Sequence, residues 1–373
     1  MEQEMCTEHV SRVENNDIFV DLNLGTACNF RCEYCFEQGC YTSEVMRPEV
    51  LDRFLGLAKT VLDSGVGISV CFWGGEPMLY MDAIKKTIDA LGNYDLARFM
   101  LYTNGWFVRQ NERTLDEFVV KCGGRFALQI SHDFMPMGFN HRVLPGKKQD
   151  EVDEHVLDAF RWCDAREINF TAKSTATMDD LERRLFEQYK TFEAFRDTLR
   201  HRDNFLLAIT PDTSNTKPVD ENLLGEQLRS LLVHFAKSKK QNTGFVWFDN
   251  PGKVLCSGGA RSFIVDVDGT VYPCHRCVYG WGENHDRMNT GYTSVFDDNV
   301  LYKIEHNVIV RNNLCDANAQ CAACDTLLCF RCNAHNCGGD LMRWNASNHQ
   351  AQCNMFKFIS KYISAYQQMR KEW

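Results

Sequence analysis

The feature that most constrains the fold of this chain is a regular alternation of strand-like and helix-like segments between residues 18 and 250. Six short β-branched or aromatic runs predict strands: DIFVDLNL, GISVCFW, RFMLYTN, RFALQIS, INFTAKS and NFLLAIT. In the helix-like stretch PEVLDRFLGLAKTVLDSG, Leu51, Leu55 and Leu62 share one face. Six such repeats imply a parallel sheet, either open or curled into a partial (β/α)6 TIM-type barrel. Ligands are expected at the carboxyl ends of its strands.

Composition and charge describe an ordinary globular protein of 373 residues, long enough for about two to three domains. The formal net charge of −9 gives no support to a nucleic acid or an anionic membrane surface as a partner, because phosphate binding requires a basic face. The first residues lack a signal-peptide pattern, and no apolar run reaches about 18 residues. We therefore expect a cytoplasmic protein that does not enter a membrane.

The 18 cysteines are distributed unevenly, with eight in the first 255 residues and ten between Cys256 and Cys353. Because the cytosol keeps thiols reduced, clustered thiols there indicate metal rather than disulfides. A domain boundary is predicted near DNPGKVLC, where helical periodicity stops. The predicted segments are an N-terminal extension (1–17), the barrel (18–250) and a small Cys-rich, loop-rich domain organised by metal (251–373).

The stretch ACNFRCEYCFEQG comes after the first predicted strand and holds Cys28, Cys32 and Cys35 in a C-x3-C-x2-C array. Three thiolates can hold three irons of a [4Fe–4S] cube and leave the fourth iron open to a small molecule. A zinc knuckle with a distant fourth ligand is the alternative on these residues alone.

This array resembles the radical SAM family, in which the open iron binds S-adenosylmethionine (SAM) and an electron from the cube cleaves SAM to a 5′-deoxyadenosyl radical. The resemblance implies that the three cysteines are cluster ligands. It also implies that Tyr34 is the family's aromatic residue before the last cysteine, and Phe36 is a further candidate cofactor contact.

The second predicted strand ends in CFWGGEP, where two glycines allow a close backbone approach and a carboxylate can accept hydrogen bonds from an ammonium group. Alone, this sequence is more often a turn. At this position Gly74, Gly75, Glu76 and Pro77 resemble the family motif that holds the methionine amino group of SAM.

Weaker signals stand at the ends of the later strands. YTNG and QISHD resemble the segments at the ends of the third and fourth strands of radical SAM barrels, and two residues close the fifth strand. Ordinary turns or solvated strand ends are the alternatives. The implied lining residues are Thr103, Asn104, Ser131, Asp133, Lys173 and Ser174.

The C-terminal third contains CSGGARSFIVDVDGTVYPCHRC and CAACDTLLCFRCNAHNC, and it resembles the SPASM extension that binds two auxiliary [4Fe–4S] clusters. By position, Cys321, Cys324, Cys329 and Cys353 resemble ligands of the outer cluster, and Cys256, Cys274 and Cys332 those of the inner one. The spacing departs from the family pattern, and further thiols stand at Cys277, Cys315 and Cys337. Either an extra thiol completes the inner site or that site is open to substrate. Paired zinc ribbons are the alternative for this segment.

His275 stands directly after Cys274. Sulfatase-maturing members of the family place an acidic base there, so a histidine argues against that activity. A histidine beside an inner cluster could still remove a proton from a substrate radical or adduct, which makes His275 the candidate catalytic residue. The remaining candidates are expected to be hydrogen-bonded or surface histidines (His132, His141, His285) and inert thiols (Cys6, Cys40, Cys71, Cys122, Cys163).

Together the resemblances imply an enzyme that cleaves SAM and abstracts hydrogen from a ribosomally made peptide, forming a cross-link or an oxidised product with help from the auxiliary clusters. A maturase that oxidises a protein serine or cysteine is the second expectation. A non-catalytic iron–sulfur or zinc protein is the third, but it would have no use for the glycine–glutamate motif. The expected partners are a peptide or protein substrate and an electron donor such as flavodoxin or ferredoxin. Because the 27 residues before Cys28 are too few for a leader-binding domain, the expectation is that either a separate leader-binding protein or direct docking at the mouth of the barrel recognises the peptide.

Overall fold

The computed structural model describes residues 17–35, 37, 43–136, 138–211, 218–251, 261–272, 278, 293–305, 324, 326–327 and 346–373. The strands within these residues are β1 (Ile18–Asn23), β2 (Ile68–Trp73), β3 (Ala97–Thr103), β4 (Phe126–Ser131), β5 (Asn169–Ala176), β6 (Leu207–Pro211), β7 (Ser262–Val265), β8 (Thr270–Tyr272) and β9 (Thr293–Ser294). The helices are α1 (Pro48–Asp63), α2 (Met81–Leu91), α3 (Glu112–Cys122), α4 (Gln149–Ala165), α5 (Met178–Arg183), α6 (Leu185–Arg196), α7 (Glu221–Ser238), α8 (Val246–Asp249), α9 (Val300–Glu305) and α10 (Ala346–Lys371).

The strands form one sheet in the order β6-β5-β4-β3-β2-β1-β7-β8-β9. Neighbours from β6 to β7 are parallel, and β8 and β9 continue as an antiparallel edge. All six residues of β2 are buried, as expected for a parallel strand covered on both faces. The fold is thus the α/β partial barrel with a parallel sheet that the alternation predicts.

Aromatic side chains fill the space between β4, β5, β6 and the helices outside them. We call Phe134, Phe160, Phe170, Phe192, Phe195 and Phe205 the aromatic core. Ring centroids lie 5.1 Å apart for Phe160 and Phe205, 5.2 Å for Phe192 and Phe205, and 5.4 Å for Phe134 and Phe192. Each ring therefore packs against several others, an arrangement that stabilises through buried area and edge contacts.

The sheet continues across residue 250, the predicted end of the barrel. β7 pairs with β1, and the Asn23 side chain donates a 2.7 Å hydrogen bond to Asp266, 243 residues away. The domain boundaries remain predictions. Further along the chain, α10 packs back on the barrel helices, where the Tyr366 hydroxyl donates to the Lys240 carbonyl at 2.8 Å. Among the described helices, none combines the length and apolar character needed to cross a membrane.

Candidate functional site

Residues 24–35, which we call the cysteine loop, leave β1 at the carboxyl edge of the sheet. The Arg31 amide donates to the Val143 carbonyl at 2.7 Å, and the Glu33 amide donates to the His141 carbonyl at 3.0 Å. These bonds fasten the cysteine loop to the connection between β4 and α4. The loop therefore lies where parallel α/β folds carry their chemistry, as predicted.

The two glycines after β2 form the other attachment of this loop. The Gly75 amide donates to the Gly25 carbonyl at 3.0 Å, and the Glu76 amide donates to the Ala27 carbonyl at 2.9 Å. Gly74 has a φ of 130°, and a Cβ added there would lie 2.3 Å from the Gly25 carbonyl oxygen. A Cβ at Gly75 would lie 2.3 Å from the Ala27 carbonyl oxygen. The close approach that requires glycine is therefore to the main chain that leads into Cys28.

The three thiols share an apolar cluster. Cys32 is buried and Cys28 and Cys35 are half-buried, with Phe30, Tyr34, Trp106, Leu144 and Val152 around them. Burial, helped by the nearby Glu76 charge, raises the pKa of Cys28 to about 12, and burial also raises the pKa of Cys32. Thiols in such surroundings release their protons when a metal takes the proton's place. This donor set fits an iron–sulfur cluster.

Within the described part of the chain, no three His, Cys, Asp or Glu side chains converge as ligands of a single metal ion would. Thiolates that bind different irons of a cube need not converge on one point, because each approaches its own iron.

Glu76 is buried, 1% exposed, and the protein itself orients its carboxylate. One oxygen accepts from the Thr103 hydroxyl at 2.8 Å and from the Met78 amide at 3.1 Å, and the other accepts from the Asn104 amide at 2.8 Å. Burial raises the pKa of Glu76, although these donors oppose the shift. A carboxylate has about four acceptor positions, so one remains for a further donor. Thr103 and Asn104, predicted to line the site, act here by orienting Glu76.

A second buried acid joins the cysteine loop to the end of β4. Tyr34 Oη lies 2.8 and 2.9 Å from the two carboxylate oxygens of Asp133, and Arg142 donates to Tyr34 Oη at 3.0 Å. Burial raises the pKa of Asp133, and the Arg142 charge opposes that shift. Arg142 is absent from the sequence prediction. The one signal that could have indicated it is its place in the connection after a barrel strand.

His141 lies beside Tyr34 of the cysteine loop, with the two ring centroids 6.0 Å apart. Its Nδ1 is 2.8 Å from a Glu33 oxygen, and its Nε2 is 2.9 Å from an oxygen of the buried Asp180 on α5. The hydrogen bond with Asp180 is the main cause that raises the pKa of His141 to about 9. His141 is hydrogen-bonded, as expected, and it connects the loop to the helix layer.

The structure separates the two candidates on β5. The Lys173 amine donates to the Thr210 hydroxyl on β6, and burial lowers the pKa of Lys173 to about 8. Ser131 is its register partner on β4. Ser174 points to the opposite face, where its hydroxyl lies 2.7 Å from Gln188 Nε2 on α6. Of these residues, only Lys173 and Ser131 share the face that points away from the helices.

Most of the site residues predicted in the C-terminal third lie outside the described residues. These are Cys256, Cys274, His275, Cys277, Cys315, Cys321, Cys329, Cys332 and Cys337, and Phe36 of the predicted cofactor site is outside them as well. Cys324 and Cys353 are described and half-buried, with Cys324 Sγ 3.0 Å from the Thr326 hydroxyl. The allocation of ligands to auxiliary clusters remains a prediction.

A parallel partial barrel with three thiols after β1 and a buried carboxylate after β2 is the arrangement of a radical SAM domain. Residues 22–132 match the Radical SAM superfamily, so this part of the chain is similar to such a domain. The family implies a [4Fe–4S] cluster and SAM as cofactors.

Two comparisons extend along most of the chain. The structure of anSMEcpe with bound AdoMet has a TM-score of 0.66 and 17% identity, covering 95% of this chain and 98% of the other. The structure of Streptococcus suis SuiB bound to precursor peptide SuiA has a TM-score of 0.51 and 15% identity, covering 80% and 70%. At these identities the similarity shows the fold alone.

Among curated proteins, the GTP 3′,8-cyclase of Haemophilus influenzae is 26% identical over 174 residues. This match covers 46% of the present chain and 48% of the cyclase. The chain thus spans about half the length of such relatives.

Proposed function

We propose that this protein is a radical SAM enzyme that cleaves SAM reductively and abstracts a hydrogen atom from a residue of a ribosomally made peptide. The observation that carries the proposal is the joint between the cysteine loop and the turn after β2. It holds a buried, preoriented carboxylate, Glu76, beside a loop with three thiols. A four-thiolate electron carrier would need no such carboxylate.

In this proposal Cys28, Cys32 and Cys35 hold three irons of the cluster, and Glu76 accepts a hydrogen bond from the SAM amino group with its remaining lone pair. When bound, the cluster supplies the electron that cleaves SAM. Pro77 begins the turn whose Met78 amide orients Glu76. Asp133, Tyr34 and Arg142 fasten the cysteine loop to the connection after β4.

Lys173 is proposed to bind a carboxylate at the mouth of the barrel. In the described part of the chain its amine has Thr210 as its polar contact, and burial alone accounts for its lowered pKa. Lys173 is half-buried, and an amine withdrawn from water without a carboxylate partner is costly unless a ligand supplies the anion. The SAM carboxylate and an acidic group of the substrate are the two sources.

The choice of a peptide is supported by the coverage of the structural comparisons. A second structure of anSMEcpe contains AdoMet and the Cp18Cys peptide, with a TM-score of 0.62 and 18% identity over 94% of this chain. SuiB was solved with its precursor peptide. By contrast, the cyclase match includes less than half of this chain. The sequence match nevertheless makes GTP the second candidate substrate.

The remaining proposals concern the C-terminal third and the partners. We propose two auxiliary [4Fe–4S] clusters there, with His275 as the base. Together with the first cluster they predict about twelve irons per chain. We also propose a flavodoxin or ferredoxin as electron donor and a separate leader-binding protein.

The test uses protein reconstituted anaerobically with iron and sulfide, then supplied with dithionite and SAM. We expect 5′-deoxyadenosine by chromatography and mass spectrometry, and a mass change in a short peptide encoded beside the gene. The same enzyme given GTP instead should leave it unchanged. If the protein bound only zinc under these conditions, the proposed iron–sulfur cluster would be wrong. If it converted GTP, the proposed substrate would be a nucleotide rather than a peptide.

A further inference from the structure

A chain of hydrogen bonds joins Glu76 to the cysteine loop and ends in a donor for which the described part of the chain offers no acceptor. The Asn104 amide group of the main chain donates to Glu76, and Asn104 Nδ2 donates to Asn29 Oδ1 at 2.7 Å. Asn29 Nδ2 is shielded from solvent and, among the described residues, has no hydrogen-bond partner. Buried polar groups are nearly always satisfied, so this donor requires an explanation.

The orientation of this amide is set by its neighbours. The Trp106 main-chain N–H can only donate, and it does so to Asn104 Oδ1 at 3.0 Å. Asn104 therefore donates from Nδ2 to Asn29, and Asn29 accepts with Oδ1. These hydrogen bonds determine which end of the Asn29 amide is the oxygen and which is the nitrogen. The Asn29 NH2 group therefore points away from Asn104.

Asn29 stands directly after Cys28, and its neighbour Phe30 belongs to the apolar cluster around the thiols. We propose that Asn29 Nδ2 donates a hydrogen bond to a sulfur of the cluster held by Cys28, Cys32 and Cys35, and that Asn104 is the positioning residue that aims it. Hydrogen bonds to sulfur stabilise the more negative, reduced cluster and raise its reduction potential.

The test is an anaerobic redox titration of SAM-free protein monitored by electron paramagnetic resonance. The signal to monitor is the one that is missing from the Cys28→Ala/Cys32→Ala/Cys35→Ala variant. We expect Asn29→Ala to lower the midpoint potential. Asn29→Asp, which has the same shape and puts an oxygen where the donor was, should lower it further. A residue that only shaped the loop would tolerate the isosteric change. Iron content and circular dichroism are measured on each sample.

Asn104→Ala should lower the potential less than Asn29→Ala does, because this substitution leaves the Asn29 amide in place and only frees it to rotate. In the Asn29→Ala background, adding Asn104→Ala should then have no further effect. Asn111→Ala is the matched control, since the Asn111 side chain already donates to the Phe107 carbonyl. It should leave the potential unchanged.

An unchanged potential with weaker SAM binding would assign the amide to SAM and overturn the proposal. An unchanged potential with unchanged SAM binding would overturn it as well. If Asn29→Ala does not load the cluster of the cysteine loop, Asn29→Asp decides. Loading of that cluster with a lowered potential supports the proposal, and failure of both variants to load it shows a structural role and overturns the proposal. None of these readouts requires a peptide, so they stand apart from the proposed substrate.

Discussion

The cysteine loop and the aromatic core are both ordered, but by different means. The loop is held by single directed bonds, such as those from the Gly75 and Glu76 amides and from Tyr34 to Asp133. In the aromatic core each ring touches several others, and Phe134, Phe160 and Phe205 are fully buried. Loss of one bond in the loop removes a specific function, whereas loss of one ring in the core removes part of a shared stability.

The largest effect is expected from removing all three thiols of the cysteine loop, which should abolish activity without changing the fold of the aromatic core. Replacing Cys28, Cys32 and Cys35 together by alanine should remove about four irons and abolish 5′-deoxyadenosine formation, because no thiolate remains at the loop. Circular dichroism should show the same fold, because the core is untouched. Cys122→Ala, a buried thiol at the end of α3, is the control and should keep its irons. Retention of all irons by the triple variant would place the cluster elsewhere.

Phe160→Ala tests whether the loss of one ring of the aromatic core lowers stability without affecting the cysteine loop. Removing this fully buried ring should lower the free energy of unfolding by about 3 to 5 kcal/mol, measured in urea. Iron content at low temperature should be unchanged. Val120→Ala, at a side chain that is 87% exposed on α3, should have no effect on stability. Loss of iron in folded Phe160→Ala protein would show that the two regions are not independent.

Glu76→Gln removes a charge while keeping the shape of a buried side chain. SAM should bind more weakly by about 1.5 to 3 kcal/mol, the range for a hydrogen bond to a charged group, as measured by equilibrium dialysis. The iron content should stay the same. Glu117→Gln, which changes an exposed carboxylate paired with Arg113 on α3, serves as the comparison. Wild-type affinity in Glu76→Gln would remove Glu76 from the SAM site.

The last prediction concerns the pH dependence of the link between the loop and α5. Since the pKa of His141 rises from 6.5 to about 9 on folding, its charged form contributes stability that is complete below about pH 6.5. This contribution is lost as the pH rises through 9. The difference in unfolding free energy between wild type and His141→Gln should therefore be largest near pH 6 and vanish above pH 9. Glu33→Gln, which removes one partner, should reproduce part of this pH dependence. A difference that grows with pH would reverse the assignment.

Sequence periodicity predicts those helices and strands whose buried face is made by residues close together in the sequence. The periodicity after residue 47 predicts α1, and its buried residues Leu51, Leu55 and Leu62 are those of the predicted face. The six strand-like runs overlap β1 to β6. The order of the motifs also placed the cysteine loop at the carboxyl edge of the sheet, because parallel strands end on one side.

Features that local patterns could not predict depend on partners far along the chain. The pairing of β7 with β1 and the bond from Arg142 to Tyr34 join segments with no local signature of each other. The helices α5 and α6 between β5 and β6 were not anticipated either, although Thr177 and Asp180 form a capping box at the start of α5. By contrast, the opposite orientation of Lys173 and Ser174 is a consequence of strand geometry, since consecutive side chains point to opposite faces.

The pairing of β7 with β1 also determines when the site can be completed during synthesis. β1 lies inside the sheet between β2 and β7, yet its second neighbour ends at Val265. Until the ribosome has made that residue, the strand that leads into the cysteine loop keeps an open edge, a common starting point for wrong pairing and aggregation. A nascent chain arrested before β7 should therefore be more easily cleaved by protease around residues 18–35 than one arrested after it.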